Sequence, residues 1–229
     1  MTIAPRLVRV PPFERGITIG DFLVPVRIGE RLSSRVRHVV LILLGTALIV
    51  VGARLSFYLP TDPHVPVTLQ TFGVLLSGAA LGFRRGVAAS LLYLALGAVG
   101  LPVFALDSET GRYASGIGRI VSLEGGRLTL GTTGGYLVGF VLASALVGRL
   151  AELGWDRRVG GAVAAMALGE LVIFAVGVPW LAVALGAPPA TALEYGLWPF
   201  LPGDLLKLLA AAGLLPAAWW VVRHTPAER

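Results

Sequence analysis

Asp204 and Lys207 stand three residues apart in Phe200-Leu201-Pro202-Gly203-Asp204-Leu205-Leu206-Lys207, and Lys207 is the only lysine in the 229-residue chain. Residues three apart share one face of a helix, so this spacing sets a carboxylate beside an ammonium within an otherwise apolar run. Charges inside a membrane segment are costly and point to function by default. A structural explanation exists as well. Pro202 suits the first turn of a helix, Asp204 would complement the positive end of its dipole, and Lys207 could reach the headgroups from the same end. That explanation covers the acid better than the base, because a cation in the first turn opposes the dipole unless an anion lies beside it. Asp204, a bound ligand, or both could supply that anion.

The elements that must position this pair follow from composition. Mean hydropathy is +0.80, with 55% hydrophobic and 14% charged residues, whereas a soluble domain has about a quarter of its residues charged. The chain is therefore expected to be an integral membrane protein. At about 20 apolar residues per span, its length allows about six helices in one membrane domain. A P-loop needs Gly-Lys-Ser/Thr, but the single lysine follows Leu206, so an ATP-driven step would need another chain. The net charge of +6 comes from 18 arginines placed mostly beside apolar runs, which reads as a topology signal rather than a nucleic-acid surface. There are no cysteines, and His38, His64 and His224 lack metal-site spacing, so no metal and no cofactor is expected.

Taken in order, residues 1–37 hold seven arginines, Pro11-Pro12 and several glycines. They are expected to form a cytoplasmic arm, disordered or partly on the membrane surface. The first long apolar run, near Val39, is too long for a signal-peptide core. Helices are expected over about 38–59, from about 67 through Gly82, at 86–103, from the Gly131-to-Tyr136 stretch to Leu150, at 160–186 and from about 200 to 222. A proline-rich turn lies at 60–66, and Arg84-Arg85 makes a tight hairpin between the second and third helices. The charged stretch 105–129 is a long outer loop, functional or disordered. The membrane domain thus covers 38–222, with a short cytoplasmic tail at 223–229. With the N-terminus inside, fourteen arginines fall on the cytoplasmic side and three, Arg112, Arg119 and Arg127, on the other. The positive-inside rule then places both termini in the cytoplasm and the Asp204–Lys207 pair toward the outer face.

That topology brings further groups to the same level: Arg54 at the end of the first helix, Gln70 at the start of the second, and Tyr136 with Gly135 at the start of the fourth. They could form a pocket with cations for a carboxylate and a donor-acceptor set for a planar polar head, walled by apolar helices and roofed by 105–129. Gly135 also belongs to the ladder Gly135, Gly139, Ala143, a spacing that favours close helix packing. Glu170 would lie about 15 Å deep at about 1.5 Å per residue, as a ligand contact, a proton group or a structural acid.

Four stretches resemble the BioY family of biotin-capturing S components of energy-coupling-factor (ECF) transporters. They are Pro66-Val67-Thr68-Leu69-Gln70-Thr71, the run from Leu92 to Phe104, Gly134-Gly135-Tyr136-Leu137-Val138-Gly139-Phe140, and Pro199 to Lys207. The resemblance spans about 38–222. It implies a six-helix protein of the cell membrane that binds biotin from outside and associates with a transmembrane coupling protein and paired ATPases. It also implies that Asp204 and Lys207 match the substrate-binding motif. Thr132 or Thr133 stands where the family often has proline, and 105–129 carries more charge than the short glycine-rich loop the family often has there. Two other classes remain open: an S component for another vitamin, and an intramembrane enzyme using Glu170 or Asp204 as acid or base. No metal constellation or nucleophile pair accompanies those acids.

Overall fold

The structure, a computed structural model, describes residues 16–23, 34–59, 62–107, 110–124 and 126–224. Much of the N-terminal arm, the first two residues of the proline-rich turn (60–61) and the 225–229 tail lie outside the described residues. A four-residue helix, α1 (Gly20–Leu23), precedes α2 (Ser34–Arg54) and a hairpin of β1 (Ser56–Leu59) and β2 (Asp62–Thr68). Next come α3 (Gln70–Ala98), two small hairpins β3 (Leu106–Asp107) with β4 (Arg112–Tyr113) and β5 (Val121–Glu124) with β6 (Arg127–Leu130), and then α4 (Gly134–Glu152). The chain finishes with α5 (Val159–Leu185), a short α6 (Pro189–Gly196) and α7 (Leu201–His224).

Among the described residues five helices are long and apolar enough to cross a membrane, and one of them is two. Inside α3, Gly82 takes φ 80° and ψ 179°, a conformation open essentially to glycine. There the chain reverses: a Cβ on Gly86 would lie 2.9 Å from the Gly78 Cα, so the two arms touch through backbone. The open end is closed by Gln70 Nε2, which donates to the Tyr93 hydroxyl at 2.8 Å. Arms 70–81 and 83–98 thus stand antiparallel, and counted with the other four long helices they make six among the described residues. The reversal falls at Gly82 and not at the two arginines, which begin the second arm, because only the glycine tolerates that backbone.

The boundaries differ in other ways. The first helix ends at Arg54, and 56–59 pairs with 62–68 with Ser56 opposite Thr68 and Tyr58 opposite Pro66. Local apolarity alone does not distinguish such a strand from the last turn of a helix. The third helix stops at Ala98, where the Val99, Gly100 and Leu101 amides turn back to helix carbonyls. The described parts of 105–129 are held by two hairpins, an Asp107–Arg119 ion pair and the bond from Gly116 N to Gly97 O at 2.7 Å.

Helices approach closely where side chains are smallest, the means of association available when lipid is as apolar as the helices. Gly52 and Gly73 let α2 meet the first arm of α3, and Gly78, Gly86 and Ser144 join the hairpin to α4. Gly45 and Gly52 therefore face the bundle, while Val39, Leu43 and Val51 on α2 face outward, each about half exposed. Part of the N-terminal arm is packed as well. Ile19 is buried, Gly16 N donates to Glu152 O at 2.9 Å, Asp21 pairs with Arg85 at 2.9 Å, and the Phe22 ring meets Trp219 edge-on at 6.0 Å.

Candidate functional site

The first turn of α7 builds the site. Asp204 N donates to Phe200 O at 2.9 Å, and Pro202, which lacks an N–H, occupies the turn where no helical partner exists. Gly203 admits the end of β2: a Cβ there would lie 3.3 Å from the Val67 Cβ and closer still to a Val67 methyl. With that contact on one side, Asp204 and Lys207 turn inward, 5% and 6% exposed. Lys207 Nζ donates to Asp204 Oδ1 at 2.7 Å and to Thr71 Oγ1 at 3.0 Å. The lysine is thus directed into the bundle rather than out to the headgroups. Asp204 Oδ2 is buried and has no hydrogen-bond partner among the described residues, which leaves a charged acceptor open. A group that bonds to it would offset a desolvation cost of about 1–3 kcal/mol, or more for a charge.

Glu170, from the middle of α5, is buried within electrostatic reach of Asp204, Lys207 and Thr71. Lys207 is bonded to Asp204 and not to Glu170, whose two carboxyl oxygens are buried with no hydrogen-bond partner among the described residues. Gln70, adjacent to Thr71, is buried and bonded to Tyr93, whose hydroxyl donates in turn to Val103 O at 3.1 Å. This links the site wall to the segment leading into the 105–129 stretch.

The other expected residues lie at the same end of the bundle with partners of their own. Tyr136 donates to Gly196 O at 2.8 Å and meets Phe174 edge-on, which pins α6 to α4. At Gly135 a Cβ would come within 3.0 Å of Val176 O and collide with Trp180, whose indole N–H donates to Gly131 O at 2.9 Å. Arg54 is exposed; it lies over the Tyr113 ring at 3.8 Å from the centroid and donates to Pro102 O. So Asp204, Lys207 and Glu170 are brought together with Gln70 beside them, while Tyr136, Gly135 and Arg54 flank that centre. Thr71 and Tyr93 were not singled out from the sequence, although both fall inside the quoted stretches. A hydroxyl in an apolar helix carries no distinctive spacing.

Among the described residues no group of three or more His, Asp or Glu side chains converges as a metal site. Fold and site together define a multi-pass helical membrane protein with a buried ion pair at one end of its bundle. The chain belongs to the BioY family, whose model matches residues 28–224. It is 40% identical over 172 residues to "Biotin transporter BioY" of Thermotoga maritima, covering 73% of this chain and 86% of that one. It is also 40% identical over 188 residues to "Biotin transporter BioY" of Rhodobacter capsulatus, covering 76% and 88%. The fold is similar to the crystal structure of the S-component for biotin from an ECF-type ABC transporter, with a TM-score of 0.65 and 24% identity over 82% of this chain and 94% of that one. The relatives are named as transporters, and the chain is a membrane transport protein rather than an enzyme.

Proposed function

We propose that this chain captures biotin at the outer face of the cell membrane, for import driven by a coupling protein and paired ATPases on other chains. The observation that carries this reading is the buried Asp204–Lys207 pair with Asp204 Oδ2 left open. A ureido head offers N–H donors to a carboxylate, and a valerate tail offers an anion to an ammonium; charge-assisted bonds of both kinds are the strong ones. Gln70 and Glu170 line the same centre, and Tyr136, Gly135 and Arg54 shape its rim. The names of the relatives point to the same ligand. The outward orientation is supported by the arginine asymmetry, since the site end of the bundle is opposite the end that collects Arg84, Arg85, Arg149, Arg157 and Arg158.

Titration calorimetry of the purified chain in detergent tests the ligand. Saturable heat with biotin, and none with thiamine or riboflavin, is expected. Heat with one of those vitamins and none with biotin would reassign the specificity within the same class of capture protein.

A further inference from the structure

At the arginine-rich end, opposite the Asp204–Lys207 site, a cavity of about 780 Å³ opens between the start of α2, the reversal in α3 and the end of α4. Its lining combines Arg84, Arg85, Arg149 and His38 with the apolar Ile42, Leu81 and Phe83 and the acid Glu152. Two of the arginines are already engaged. Arg85 holds Asp21 at 2.9 Å, and Arg149 holds Glu152 Oε2 at 2.9 Å while the other oxygen of that acid accepts from Phe83 N at 2.9 Å. Arg37 shares the same Asp21 oxygen at 3.8 Å and donates to the Asp21 carbonyl at 2.6 Å. Arg84 and His38 are exposed and have no partner among the described residues. The local cations thus outnumber the acids Asp21 and Glu152, and the surplus faces the opening.

We infer that this cavity binds the phosphate headgroup of an anionic phospholipid. The cavity lies where three membrane helices begin, turn or end, which is headgroup depth. Inorganic phosphate would have no use for the apolar lining or for what continues from it. Phe83 is 44% exposed at the cavity, and Val39 and Leu43 on the adjoining stripe of α2 are 54% and 52% exposed. Together they offer an acyl chain a path out into the bilayer core. Basic residues beside a membrane attract anionic headgroups at about 1 kcal/mol each, equivalent to about fivefold in affinity. A cavity that also seats the chain adds selectivity for a lipid over a free ion. This inference does not rest on the ligand assigned to the opposite end.

The test is thermal unfolding of the full chain in detergent, titrated with phosphatidylglycerol, with phosphatidylcholine of the same acyl chains, and with inorganic phosphate. Phosphatidylglycerol is expected to raise the midpoint at concentrations where the other two have no effect. Arg84→Gln, at an exposed residue without a partner, should require about fivefold more phosphatidylglycerol for the same rise, and Arg84→Gln with His38→Gln should require more again. Biotin titrations should be unchanged in both variants. An equal response to phosphatidylcholine, or a response unaltered by both variants, would overturn the site. Stabilisation by inorganic phosphate equal to that by phosphatidylglycerol would reduce it to an ion site and overturn the lipid assignment.

Discussion

The ammonium of Lys207 and the carboxylate of Asp204 are bonded to each other, yet their losses should be separable by the chemistry of the ligand. If Lys207 holds the ligand's carboxylate and Asp204 its polar head, Lys207→Ala should weaken biotin by about 1.5–3 kcal/mol, the range for hydrogen bonds to charged groups. Biotin methyl ester, which lacks the anion, should lose little in that variant. Asp204→Asn should weaken acid and ester alike. Wild-type calorimetric affinity in both variants would remove the pair from the site and direct attention to Arg54. At the other end of the molecule, burial pushes the Asp156 carboxyl up from 3.8 to about 6, against the opposing pull of the Trp219 indole N–H, 2.6 Å away, and of Arg157. The folded protein holds this proton more tightly than the unfolded chain. Its contribution to stability is therefore complete below about pH 4 and is lost as pH rises through about 6. Asp156→Asn keeps an acceptor for the indole but carries no charge. It should raise the unfolding midpoint at pH 7.5, leave it near wild type at pH 4, and flatten the slope between; an unchanged slope would mean that another group sets it.

Among the elements, the α3 hairpin depends on a single backbone conformation. Gly82→Ala would impose a conformation costing about 1–3 kcal/mol and would set a Cβ 2.9 Å from Glu152 Oε1 and 3.0 Å from Thr18 Cγ2. The unfolding midpoint should fall, whereas Gly111→Ala, also at positive φ but with open space around it, should cost backbone strain alone. Equal losses would mean that packing at the reversal contributes nothing. The long helices were legible because runs of about twenty apolar residues have few other fates. So was the inward pair, because one lysine in an apolar chain is conspicuous. From sequence, 56–68 reads as a helix end followed by a turn, since Pro63 and Pro66 argue against a strand and only pairing with 56–59 makes one. The short helix α6 between Pro188-Pro189 and Leu197 was not foreseen either; it is fastened by Tyr136 from sixty residues away, a contact no local pattern encodes. The segment 16–23 sits in an arginine-rich stretch that reads as a topology signal, yet its Asp21 finds Arg85 across 64 residues.

For the whole molecule, the polar resources are divided between two ends. One end holds a closed centre with a buried ion pair; the other collects arginines, some tied to Asp21 and Glu152 and some open. The positive-inside rule assigns the second end to the cytoplasm. A cysteine introduced at Ser115, between the outer hairpins, should react with an impermeant thiol reagent in intact cells, while one at Ser34, at the start of α2, should react only after lysis. The reverse pattern would invert the orientation and with it the face from which ligand is captured.

Lys207 has a practical consequence that follows from its being the chain's single lysine and buried. Amine-selective acylating reagents meet one side-chain target in this molecule, and it sits inside the ion-pair centre. The mass shift at that one ε-amine is therefore a clock for how often the site end of the bundle opens to solvent. An occupied site should slow the clock without any label, tag or substitution having been introduced.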